Sequence, residues 1–290
     1  MQMVNRLRRG VAVMSATALA CTPLLLAPIG ATASPAPTTS RAATPHLTAT
    51  LTGKTIEVTG ADHLRPGRVK LSVEGKGVVE IAMFKRGYDG EDFNADIGLF
   101  GAKNDIKALK HALANTQILG GFEGGGSGTV VLPRAGSYTP FSIGRRGVVL
   151  GDPIIVRGEK RASSTPRTDG RILATTGPAW GGSTTLPAQG RLLFKNKGNT
   201  GVPHFLVLQQ VAEGTTTDTV LEYLQSGDEG QPPWGLPGGM ESASLSPGRS
   251  MTVDYDLPAG QYVVMCFFPD PKMDGMPHAL MGMLEMIHLT

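Results

Sequence analysis

Apolar positions along this chain fall in short runs, broken every few residues by glycine, proline, serine or threonine. "GRVKLSV" (67–73), "VVEIAMF" (78–84), "AGSYTPFSI" (135–143), "GRLLFKN" (190–196), "VPHFLVL" (202–208) and "AGQYVVMCF" (259–267) each read as a strand. Two segments change the rhythm and space their apolar residues as a helix does: "KNDIKALKHALANTQ" (103–117) and "TTDTVLEYLQSG" (216–227). A Gly/Pro-rich loop follows each, "GGFEGGGSG" and then "GQPPWGLPGG". Short strands between turn signals predict an all-β chain built of Greek-key β-sandwiches, each with a short helical insert.

The order of these segments repeats. "VVEIAMF" precedes "VPHFLVL" by 124 residues, and "AGSYTPFSI" precedes "AGQYVVMCF" by the same 124. A constant offset across separated blocks predicts two homologous sandwiches in tandem, at about 46–160 and 168–290, joined by a polar linker over 161–167. That register sets His204 against Glu80 and Cys266 against Ser142. Matching "LGDPIIVRG" to "MGMLEMIHL" raises the offset to 131, which sets His278 against Gly147 and Met283 against Asp152.

The N-terminus alters how charge and cysteine are counted. Arg6, Arg8 and Arg9 precede a long apolar stretch that ends in the small residues Ala31 to Ala33, so 1–33 reads as an export signal. A Pro/Ser/Thr-rich linker over 34–45 follows, and no later run is apolar enough to span a bilayer. The signal contains three of the 27 basic residues and no acid, so the exported chain is formally neutral. A neutral chain without a basic stripe gives no reason to expect a nucleic-acid partner. Cys21 leaves with the signal. Cys266 then stands alone, as a buried inert thiol, an intermolecular bridge or a metal thiolate.

Setting the copies side by side isolates what the second has and the first lacks: His204, Cys266, His278 and Met283. A thiolate, two neutral imidazoles and a weak thioether suit copper, as a His₂Cys site with a distant Met. One histidine comes from a mid-domain strand, while Cys, His and Met surround the loop between the last two strands. A sandwich can bring those two places together at one end.

The second copy resembles a cupredoxin of the plastocyanin and azurin class over roughly its whole length. "PHFLVL" resembles the first-histidine strand, "PAGQYVVMC" the strand ending in the copper cysteine, and "PHALMGM" the plastocyanin-type His-to-Met segment. The ending also resembles secreted bacterial cupredoxin-like proteins. The resemblance implies His204, Cys266, His278 and Met283 as ligands of one copper ion. It also implies electron transfer or copper handling with a redox or copper-exchanging protein as partner. Three features depart from the family pattern. Phe205 stands where an asparagine is usual, eleven residues separate Cys266 from His278, and the domain contains a helical insert. The extra residues "PDPKMDG" are turn formers, so the loop is expected to bulge outward and leave His278 in place.

Two rival readings stay open. Met273, Met276 and Met281 lie around His278, and flexible thioethers favour Cu(I), as in a secreted carrier. Alternatively the fold is an extracellular interaction module without metal. An enzyme is not expected: HExxH, GxSxG and phosphate-loop patterns are missing, as are His-x-His pairs for a copper cluster.

Overall fold

The computed structural model describes residues 43–144, 147–228 and 230–290; the expected export signal and most of the linker after it lie outside the described residues. The first half runs β1 (His46–Leu51), β2 (Ile56–Thr59), β3 (Gly67–Gly75), β4 (Val78–Phe84), α1 (Gly90–Lys103), α2 (Ile106–Asn115), β5 (Thr116–Glu123), β6 (Ser127–Leu132), β7 (Gly136–Gly144), β8 (Gly147–Leu150) and β9 (Ile154–Val156). The second runs β10 (Gly170–Thr175), β11 (Ala179–Gly182), β12 (Thr185–Leu186), β13 (Gln189–Asn196), β14 (Val207–Val211), α3 (Thr217–Ser226), β15 (Gly235–Glu241), β16 (Ser250–Asp256) and β17 (Gly260–Met265). It ends with the miniature strands β18 (Pro269–Asp270) and β19 (Met276–Pro277), a 3₁₀ turn (His278–Met281) and β20 (Leu284–Leu289).

The two halves share one plan, visible in the strand order. An eight-stranded sheet is ordered β11-β10-β13-β16-β6-β3-β1-β2, which reads alike from either end. In each half a first strand pairs antiparallel with its successor and parallel with the next long strand, β1 with β2 and β3, then β10 with β11 and β13. The halves meet where β16 pairs antiparallel with β6, at Thr252–Thr129, Val253–Gly128 and Asp254–Ser127. Two further sheets, β5-β4-β7-β8 with β9 on β7 and β12-β20-β17-β14-β15, supply the other layer of each half. The polar segment between the halves is tied down: Arg161 donates its N–H to Pro66 O (2.8 Å) and Arg68 donates to Thr165 Oγ1 (2.7 Å).

A tyrosine marks the same corner twice. Tyr138 donates its hydroxyl to Arg134 O (2.5 Å) and Tyr262 donates to Pro258 O (2.8 Å), both four residues upstream. That correspondence keeps the 124-residue offset. The neighbouring strands correct the offset elsewhere. Ala82 pairs Thr139 while Gln209 pairs Val263, so β14 is displaced three residues and Val207, not His204, takes the place of Glu80. Likewise Tyr138 pairs Ile154 and Tyr262 pairs Ile287, an offset of 133 rather than 131. Met283 therefore does not stand against Asp152. Strand ladders fix these registers through backbone pairs, which residue-type matching across a loop of changed length cannot see.

The helical segments are explained locally. α3 starts at the Thr216 cap and stops at Gly227 in the left-handed region, as the pattern predicts. The first half has two helices where the pattern predicts one. α1 opens on a capping box between Asp89 and Asp92, and buries Phe93, Ile97 and Phe100 along one face. Its glycines at 90, 98 and 101 hide that face from a propensity reading. Beneath α1 and α2 lies a small cluster including Phe93, Ile97, Ala112 and Phe141, while the main core runs through both halves.

Candidate metal centre

β14 and β17 lie side by side in the second layer of the second half, with Val207 opposite Met265. Just beyond that pair the chain leaves the ladder on both strands, at His204–Leu206 and at Cys266–Phe268. His204 and Cys266 thus face the same sheet end. His204 is fixed by a two-bond bridge: its N–H donates to Leu245 O (3.1 Å) and its carbonyl accepts from Leu245 N–H (2.8 Å). The Asn196 amide donates to Val202 O (2.9 Å) and Leu245 O (2.8 Å), bracing both sides of that bridge. It does so from β13, with Phe205 in the position where the resembled family has asparagine.

The eleven residues between Cys266 and His278 close on themselves. β18 and β19 pair Pro269 with Pro277 and Asp270 with Met276, so the insert is a miniature hairpin whose turn includes Asp274 and Gly275 at positive φ. His278 N–H then donates to Phe268 O (3.1 Å) and Ala279 N–H to Cys266 O (2.7 Å). The hairpin folds outward and returns the chain to its starting point.

As a result the donor atoms of His204, Cys266 and His278 all lie within 4.8 Å of one another. Cys266 Sγ is 3.6 Å from Nδ1 of His204 and 3.6 Å from Nδ1 of His278. The two imidazole rings are 4.6 Å apart, centre to centre. His204 is 1 % exposed, Cys266 and His278 not at all. Met283 is also fully buried; its N–H donates to His278 O (3.0 Å) and its carbonyl accepts from Trp180 Nε1 (3.1 Å). Met273 and Met276 lie instead on the outside of the hairpin, 47 % and 42 % exposed, and Met281 is half-buried on the 3₁₀ turn.

Burial sets the protonation states. His204 is driven down to about 3, by loss of solvent and then by the neighbouring His278. Loss of solvent also lowers His278, against an opposing pull from Asp270. Both imidazoles are therefore neutral at pH 7, with lone pairs to offer. Burial pushes the Cys266 thiol up to about 12, although the N–H groups of Phe205 and Phe268 donate to its sulfur. Without a cation this cysteine keeps its proton; a metal would displace it. Two neutral imidazoles and a buried thiol around one point, with ready-made N–H donors to the sulfur, fit a soft or borderline ion.

Residues outside the predicted set also shape the centre. The Trp180 ring stands edge-on to His204, at 6.5 Å between centres, and its indole N–H holds the Met283 carbonyl. Asp270 places Oδ2 at 3.7 Å from His278 Nε2. Neither carries a spacing signal, because each comes from a loop or edge strand whose path depends on tertiary pairing.

No family model matches the chain, and no curated protein matches it either. Solved structures do. Auracyanin B is similar over 44 % of this chain and 93 % of its own, at 27 % identity and a TM-score of 0.29. A reduced auracyanin from the photosynthetic bacterium Roseiflexus castenholzii covers 41 % of this chain and 94 % of its own, at 20 % identity and a TM-score of 0.26. A blue copper oxidase from Nitrosomonas europaea covers 84 % of this chain and 85 % of its own, at 13 % identity and a TM-score of 0.22. In this chain the histidine strand lies beside the cysteine strand, the cysteine strand beside the last strand, and a ligand loop joins the latter two. The chain thus consists of two β-sandwich halves of one plan, the second with a buried His-Cys-His group at its sheet end.

Proposed function

We propose that the chain is an exported copper protein with one mononuclear site in its second half, used for one-electron transfer. His204 and His278 would supply imidazole nitrogens through Nδ1, Cys266 a thiolate and Met283 a thioether. Copper at such a site would supply reversible exchange between Cu(I) and Cu(II). The convergence of three buried donor groups within 4.8 Å supports this reading most. The side chains do the rest of the work. The Leu245 bridge holds His204 with the Trp180 ring packed edge-on against it, the hairpin holds His278, and burial keeps water from the sulfur. Export rests on the character of residues 1–33, and a redox protein would be the partner. Among the described residues no helix is long and apolar enough to cross a membrane.

One observation favours a second reading. Met273 and Met276 are exposed on the hairpin that covers His278, so they are placed to meet Cu(I) from solution and pass it inward. Copper titration separates the readings. The electron-transfer site gives one Cu(II) per chain and an intense visible thiolate band that Cys266→Ser abolishes. A colourless protein that binds Cu(I), and fails to when Met273 and Met276 are both replaced by Leu, points to a carrier. Failure to bind copper in either redox state overturns both and leaves a metal-free extracellular module.

A further inference from the structure

Asp270 sits at the base of the inserted hairpin, and most of its polar atoms are engaged within it. Oδ1 accepts from Lys272 N–H (2.7 Å), and the carbonyl accepts from Met273 N–H (3.1 Å) and Gly275 N–H (2.8 Å). Oδ2 is left facing inward, 3.7 Å from His278 Nε2. His278 is fully buried and its Nε2 has no hydrogen-bond partner within normal reach. Its other nitrogen, Nδ1, points at Cys266. A neutral imidazole has one N–H. If Nδ1 is to present a lone pair to the centre, the proton must sit on Nε2, where a buried donor needs an acceptor. Closing 3.7 Å to a hydrogen bond takes a shift below 1 Å.

From this geometry we propose that Asp270 is a positioning residue for the metal centre. It accepts the Nε2–H of His278, fixes the tautomer with Nδ1 free, and places a negative charge behind that ligand. The inference rests on the copper reading for its purpose, but the Asp270–His278 contact can be tested without metal. It gives the insert a role: the residues that lengthen the ligand loop bring a carboxylate behind the histidine. The first half holds this device steady. Asn104, the left-handed cap of α1, donates its side-chain amide to Asp274 O (3.3 Å). Gly275 lies against Asn104, Ile106 and Phe100, where an added Cβ would sit 3.2 to 3.3 Å from their side chains.

Asp270→Asn is the discriminating variant. Its amide oxygen can keep the Lys272 N–H, so the turn survives, while an NH₂ group replaces the inward acceptor. Long-range ¹H–¹⁵N correlation on the metal-free protein reads the tautomer directly. The wild type should show a protonated Nε2 and a bare Nδ1 at His278, and Asp270→Asn should move the proton to Nδ1. In the copper-loaded protein the same variant should weaken Cu(II) binding by about 10- to 100-fold. It should also raise the reduction potential, because a negative charge behind the ligand favours Cu(II). Wild-type His278 protonated on Nδ1, or Asp270→Asn leaving both tautomer and potential unchanged, overturns the proposal. A tautomer switch in a chain that binds no copper would uphold the positioning contact and remove the copper reading alone.

Discussion

The two halves carry out the same plan up to one point and then part. In the first, β7 continues past Phe141 in pairing with β8, Phe141 with Leu150, Ser142 with Val149 and Ile143 with Val148. In the second, β17 stops at Met265 and the chain leaves the sheet at Cys266. Where the first half continues its sheet end in the ladder, the second gathers two buried histidines and a thiol there. The difference lies less in which residues are present than in where the backbone stops pairing. A ladder residue spends its environment on neighbouring strands; a residue just past the ladder can face inward from a loop. The halves are also unequal in what they lend each other. β5 of the first half accepts the Ser246 N–H at Ile118 O (2.9 Å), donates its Ile118 N–H to Ser246 Oγ (2.8 Å), and bridges Leu119 to Leu245, the residue that fixes His204. With the Asn104 contact to the insert, the half without the His-Cys-His group supports both histidines of the other.

The largest test of this comparison is to remove the supporting half. A chain of 168–290 exposes the β16 edge, and uncovers the Leu245 segment that β5 holds. Unpaired edges template association with another chain. We expect no stable copper-binding monomer, but dimers or aggregates, seen by size-exclusion chromatography with copper quantification. A soluble monomer loading one copper as well as the full chain would show the two halves to be independent.

How far the sequence reveals this depends on which interactions are local. The strands, α3 and the repeated tyrosine corner are legible because each rests on neighbouring residues: alternation, caps, or a hydroxyl reaching four residues back. The convergence of His204, Cys266 and His278 is legible from residue types missing in the first copy. The hairpin over 269–277 is half legible: its turn formers predict a bulge, yet nothing predicts that Asp270 faces back to His278. The shared eight-stranded sheet is not legible, since β6 and β16 pair across about 125 residues of chain and carry no distinguishing side chains. Trp180 and Asn196 escape for the same reason, both acting through backbone carbonyls brought near by tertiary packing.

Acid sharpens the comparison at intermediate size. His204 has its folded value near 3 against an ordinary 6.5, so between those pH values the unfolded chain binds more protons than the folded one. Stability is therefore fully present above about 6.5 and falls as pH drops towards 3, by at most about 1.4 kcal/mol per pH unit for this group. His278 is lowered too and adds to the loss. Urea midpoints of the metal-free protein should decline from pH 7 to pH 4.5. Amide exchange should accelerate over 204–208 and 262–268 before it does over 138–143. Equal acceleration in both halves would place the acid-sensitive groups elsewhere.

The smallest effect asks whether a thiol alone makes the site. Ser142 is buried on β7 at the position of Cys266, counted from the shared tyrosine corner. Ser142→Cys adds a sulfur there, and a small buried thiol behaves as a small hydrophobe. We expect a stability change within about 0.5 kcal/mol. Copper stoichiometry should stay at one per chain, with the visible band unaltered. The reason is geometric. Ser142 is held in the ladder by Val149, and no imidazole stands beside it on β4, whose Glu80 corresponds to Val207 and pairs with Phe141. Gly144 also pairs with Gly147, and the two residues between them include no histidine. A second thiolate band in Ser142→Cys would mean that the sheet end itself, and not the point where the chain departs from it, creates the metal centre.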